Sequence, residues 1–195
     1  MRPGDEVLGP THTFVATANV RPHSRRFTRL SGSDVCPCCK TTTLAAAGKI
    51  YLSWRQVLPG SFRHIAVASS SDGGQSFSKG VVVSDDKWML SACPVSGAAL
   101  AANNSGELSV FWYTAGAAGE PGIYAARSAD GGRTFGERQL IDGHAASGIP
   151  AVINNGGDSA NLVVAEDDGR IAAGLMVTYE WSDWRNAGFW WIQSV

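Results

Sequence analysis

Apolar and polar positions along the chain alternate in short runs, and none repeats at helical spacing. Runs such as "GKIYLSW", "IAVASSS", "GELSVFW" and "IYAARSA" read as strands, and turn residues separate them. Two longer segments match closely: "IAVASSSDGGQSF" at 65–77 and "IYAARSADGGRTF" at 123–135. Each ends in Ser-x-Asp-x-Gly-x-Ser/Thr-Phe, carried by Ser70, Asp72, Gly74, Ser76 and Phe77, and by Ser128, Asp130, Gly132, Thr134 and Phe135. Strand-like runs flank both, with "KGVVVSDD" after the first and "ERQLIDG" after the second. The pattern predicts a hairpin turn. The Asp carboxylate accepts from turn amides, Gly supplies positive φ, and Phe plugs the core beneath.

The equivalence extends upstream. "CPCCKTTTLAAAGKIYLSW" aligns with "CPVSGAALAANNSGELSVFW", which matches Trp54 to Trp112 and the turn at Gly48 to that at Gly106. A weaker copy is "HAASGIPAVINNGGDSANLVVAEDDGRIAAGLMVTYEW". The plugging aromatics fall at Phe27, Phe77, Phe135 and Phe189, which by subtraction are 50, 58 and 54 residues apart. A period of roughly 50 with about four short strands per unit predicts an all-β β-propeller of four-stranded antiparallel blades. A β-sandwich with similar hairpins is the alternative. The expected division is a partial blade at 1–33, with strands near Thr13–Asn19 and Arg26–Leu30. A blade at 34–90, a blade at 91–142 and a diverged blade at 143–195 follow. That is about three and a half blades, fewer than the usual four to eight. The chain is then either a fragment or one half of a homo-oligomer in which a second copy completes the ring to about six.

The two Ser-x-Asp-x-Gly-x-Thr-Phe turns resemble the Asp-boxes, or BNR repeats, of the sialidase-like β-propeller superfamily. The pairing of "DVCPCC" before one blade with "ACPVSG" before the next is similar to bacterial exported members of that group. The resemblance implies that Asp72 and Asp130 are fold residues, away from the ligand face. It also implies an exported or periplasmic location, although "MRPGDEVLGPTH" has no apolar core of a signal peptide, and it implies no settled activity. Sialidases of the superfamily hold the substrate carboxylate with three arginines and use a tyrosine paired with a glutamate, an aspartate acid/base and an Arg-Ile-Pro motif. Here "GIP" at 148–150 is not that motif, and Arg55, Arg63, Arg127 and Arg170 fall at no common phase. Tyr179 and Glu180 imitate the nucleophile pair, but sit in a strand-like run where a surface pair is the commoner reading. No pair of facing acids stands out, as glycosidase chemistry requires. Asp34, Asp85, Asp86 and Asp142 lie near blade starts, where they line a face or cap turns.

Composition narrows the partners. The 195 residues carry a formal net charge of −1 without a basic block, which argues against nucleic acid. No apolar run is long enough to span a membrane as a helix.

Three of the four cysteines, Cys36, Cys38 and Cys39, lie within four positions. The repeat alignment places Cys36, Cys93 and His144 each just before the first strand of a blade. Cys93 and His144 each stand four residues before a glycine, Gly97 and Gly148. Equivalent positions converge on the axis of a propeller, so these residues are expected near a channel mouth with Cys38 and Cys39 beside them. Thiolates and imidazole suit Zn(II) or Cu(I), and Met89 can add a thioether. A disulfide between Cys36 and Cys93 with spare thiols is the competing reading, a Cys36/Cys39 redox pair is weaker, and inert thiols remain. Trp88 and Asp142 are the candidate ligand contacts, Trp88 as a platform for a sugar or peptide. Three functions stay open: a ligand- or carbohydrate-binding propeller, an exo-sialidase, and a structural or assembly module.

Overall fold

The computed structural model describes residues 35–116, 119, 121–143 and 150–154, together with the strand backbones at 159–165, 171–177 and 189–192. The expected partial blade at 1–33, Asp34, His144, Arg170, Tyr179 and Glu180 lie outside the described residues. Every element among the described residues is a strand. The twelve strands form three four-stranded antiparallel sheets, each made of strands consecutive in the chain. The first holds β1 (Thr42–Ala46), β2 (Lys49–Leu58), β3 (Phe62–Ser70) and β4 (Val81–Val82). The second holds β5 (Ala99–Ala102), β6 (Leu108–Thr114), β7 (Gly122–Ser128) and β8 (Gln139–Asp142). The third holds β9 (Ala151–Asn154), β10 (Ser159–Ala165), β11 (Ile171–Val177) and β12 (Phe189–Ile192).

The strand pattern explains how the sheets stack. On β3, Ile65 and Val67 face one side and Ala66 and Ala68 the other. Ile65 and Val67 join Tyr51 from the first sheet, and Leu100, Leu108, Val110 and Trp112 from the second, in one core. Strand β6 is buried on both faces, because Phe111 and Tyr113 enter a separate cluster with Ala99, Ala101 and Val152 of β9. This accounts for the run "LSVFWY", apolar at every position but Ser109. Burying each such large side chain contributes about 1.5–3 kcal/mol. The first strands are neighbours in order, β1 against β5 and β5 against β9.

The tight turn from β1 to β2 needs positive φ at both Ala47 (49°) and Gly48 (72°), as a two-residue hairpin of primed type does. The two Ser-x-Asp segments join β3 to β4 and β7 to β8. Asp72 Oδ1 accepts from the Ser76 amide at 2.9 Å and Oδ2 accepts from the Ser76 hydroxyl at 2.6 Å. Asp130 accepts from the Thr134 amide and hydroxyl at 2.9 and 2.7 Å. Ser70 Oγ and Ser128 Oγ each accept from the amide four residues on, at Gly74 and Gly132, and donate to the Asp. Phe77 packs on Trp54, Ala66 and Ala68, and Phe135 packs on the main core. These bonds hold both carboxylates well below their ordinary range, chiefly through the Ser76 and Thr134 hydroxyls.

Candidate functional site

The cysteine loop interrupts the start of the first sheet. Val35 bridges Gln56, and the Cys36 amide donates to the Arg55 carbonyl at 2.9 Å, so the chain enters alongside β2. Pro37 then turns it, and the Cys39 amide reaches back to the Cys36 carbonyl at 3.3 Å. Proline suits this position because its fixed φ fits a turn and it leaves no amide unpaired. Pairing with β2 resumes at Thr42, opposite Ser53.

The second loop, 91–97, presses directly on the first. A Cβ at Gly97 would lie 2.2 Å from the Lys40 carbonyl oxygen, so only glycine permits the approach. Thr42 Oγ1 donates to the Ala98 carbonyl at 2.6 Å, and Arg55 Nε donates to the Ser96 carbonyl at 2.7 Å. Val95, just before Ser96, is held at φ 51°, an unusual state for a β-branched residue.

These contacts bring the sulfurs of Cys36, Cys38, Cys39 and Cys93 within 4.8 Å of one another. Cys36 Sγ is 3.7 Å from Cys38 Sγ, 3.8 Å from Cys93 Sγ and 3.1 Å from Cys39 Sγ. Cys38 and Cys93 form a disulfide with Cα atoms 6.5 Å apart, while Cys36 and Cys39 are free and buried. The disulfide expected between Cys36 and Cys93 is therefore corrected to Cys38–Cys93. Cys36 is held against β2 and only 2% exposed, whereas Cys38, beyond the proline turn, meets the exposed Cys93. Burial first, then the hydrogen bond and proximity of Cys36, push the Cys39 thiol up to about 11, against the Ser96 amide and Arg55.

Arg55, considered in the sequence only as a scattered arginine, proves to adjoin this cluster. It is fully buried. Its Nε and Nη2 donate to the carbonyls of Ser96 and Tyr113, at 2.7 and 2.9 Å, and Nη1 has no partner among the described residues. Burial lowers its pKa, while Cys39, Asp86 and Cys36 act in the opposite sense. Its guanidinium lies 5.0 Å from the centre of the Trp88 ring. A buried cation beside thiols carried no sequence signal, because β2 reads as an ordinary strand at that position.

The other candidates divide. Trp88 is buried, with Arg55 over its ring and an edge contact to Tyr113, so its surface is spent on packing. Asp142 is half-buried at the end of β8. Met89 is 67% exposed and its backbone bridges Phe62. Asp86 is fully buried, accepting from Trp112 Nε1 at 2.8 Å and from Arg138 Nη1 at 2.6 Å, while Asp85 lies exposed near His64. No helix among the described residues is long and apolar enough to cross a membrane.

No protein-family model and no curated protein sequence matches the chain. Solved structures do. A protein of unknown function from Dyadobacter fermentans aligns with a TM-score of 0.57 and 18% identity, over 77% of this chain and 40% of that one. The NanB sialidase of Streptococcus pneumoniae, as a point mutant, aligns at 0.50 with 20% identity, over 87% of this chain and 24% of that one. The chain thus spans well under two thirds of either. At these identities the likeness concerns the fold alone, an all-β arrangement of four-stranded antiparallel sheets of the propeller kind.

Proposed function

We propose that this chain is part of a ligand-binding, carbohydrate-related propeller without sialidase chemistry, and that its cysteine cluster is a Cys or Cys/His metal site at the seam between two blades. The observation that carries the first part is the fate of the arginines. Arg55 is spent on backbone carbonyls and Trp88, Arg63 donates to the Leu90 carbonyl, and Arg127 pairs with Glu107. A clamp for a substrate carboxylate needs guanidinium groups that converge on open space, and these three are turned to internal duties instead. The sialidase-like fold supports a carbohydrate ligand. The hydrogen bonding of the Asp72 and Asp130 turns supports reading them as fold residues of the Asp-box type.

The test is calorimetric titration of the 195-residue chain with sialyl-lactose, beside a fluorogenic sialoside assay. The reading expects binding without turnover. Turnover abolished by Tyr179→Phe would replace it with the hydrolase reading, and neither binding nor turnover would leave a structural module. Completion of the ring by a second copy is part of the same proposal. A solution mass equal to one chain contradicts it.

A further inference from the structure

We infer that Cys36, Cys38, Cys39 and Cys93 together form a closed tetrathiolate site for a divalent d10 cation of the zinc class, filled when the Cys38–Cys93 bond is reduced, with Arg55 balancing its charge. This rests on the metal-site part of the reading above and is independent of the carbohydrate part.

Geometry is the first ground. A tetrahedral centre with metal–sulfur bonds of about 2.3 Å has sulfur–sulfur edges of about 3.8 Å. Cys36 Sγ already stands at 3.7 and 3.8 Å from Cys38 and Cys93, and the 3.1 Å separation from Cys39 needs only a small opening. Cys36-x-x-Cys39 also has the ligand spacing of a zinc turn. The fourth ligand arrives from a separate loop, brought in by the contact that Gly97 permits.

Charge is the second ground, and it is independent of the first. Arg55 is fully buried beside the sulfurs, with Nη1 unpartnered among the described residues. Among the described residues the carboxylate acting on it is Asp86, which is already engaged by Arg138 and Trp112. The uncharged Cys38–Cys93 disulfide does not pair with the guanidinium, and an unpaired buried charge is costly. Four thiolates around a divalent ion carry a net charge of −2, and Arg55 offsets half of it. A monovalent ion would leave −3, a poorer match. Because the protein supplies all four ligands, the site is structural rather than catalytic, and it ties the loop before β1 to the loop before β5.

The chemistry balances. A dithiol reductant cleaves the Cys38–Cys93 bond by exchange, delivering two electrons and two protons, and leaves as its own disulfide. The cation then forms four bonds to sulfur and releases four protons to solvent.

The experiment uses the full chain, reduced with a dithiol and freed of it under anaerobic conditions. It is titrated with Co²⁺ and then Zn²⁺ while visible absorption and melting temperature are followed. One metal per chain is expected, with intense sulfur-to-cobalt absorption of an all-thiolate tetrahedron, displacement by zinc and a raised melting temperature. The oxidised chain is expected to bind none. Arg55→Met should weaken zinc binding about tenfold or more, with partial recovery in Arg55→Lys, as for other residues that support metal ligands. No metal uptake by a chain with four titratable thiols overturns the site. A mixed sulfur and nitrogen spectrum overturns the all-cysteine assignment in favour of a Cys/His site. Unchanged affinity in Arg55→Met overturns the role of Arg55. None of these outcomes depends on whether sialyl-lactose binds.

Discussion

Asp86 of the first repeat accepts a hydrogen bond from Arg138 of the second, Oδ1 to Nη1, at 2.6 Å, with 1% and 13% of the two side chains exposed. Trp112 Nε1 completes the arrangement at 2.8 Å. Breaking a buried pair by removing one partner leaves a charge uncompensated, which costs about 3–5 kcal/mol. Asp86→Ala should therefore destabilise the chain by that order, measured by urea denaturation. Asp86→Ala combined with Arg138→Met should recover part of the loss. Equal stability of Asp86→Ala and the parent would contradict the assignment.

The Asp72 and Asp130 turns predict an acid limb of stability. Their carboxylates are held below the ordinary value of 3.8 by the Ser76 and Thr134 hydrogen bonds. A depressed native pKa means that the contribution is fully present above the unfolded value and is lost as pH falls from there toward the native one. Melting temperature should thus begin to fall below about pH 4. The double variant Asp72→Asn with Asp130→Asn should show a flatter limb, and an identical limb would contradict the account.

Gly97→Ala tests the approach of the two cysteine loops. The added carbon would meet the Lys40 carbonyl at 2.2 Å, so backbone must move. The expected outcome is slower or incomplete formation of the Cys38–Cys93 disulfide, counted as additional free thiols in the denatured chain. Unchanged thiol counts and stability would show that the loops meet without this contact.

Core truncation should be severe where both sheets share a side chain. Leu108 is fully buried among residues of the first and second sheets. Leu108→Ala should cost about 2–5 kcal/mol, read from denaturant unfolding.

The strands and turns were legible because their determinants are local. Alternation fixes which β3 residues face each side, and the eight-residue Ser-x-Asp segments contain every group that closes their own turns. The gathering of Cys36, Cys38, Cys39 and Cys93 was legible from the repeat, since equivalent loops precede neighbouring first strands. The partner of Cys93 was not, because it depends on how far the Pro37 turn carries the chain beyond β2. The position of Arg55 near the cysteine loops and the burial of Trp88 were also hidden. Both depend on where loops from the next repeat fold over the sheet, which no spacing records.

X-ray absorption at the zinc edge of the reduced, zinc-loaded chain reads the ligand set of the cysteine cluster. The account predicts four sulfur neighbours at about 2.3 Å and no nitrogen or oxygen. Three or fewer sulfurs, or any nitrogen at about 2.0 Å, would contradict it.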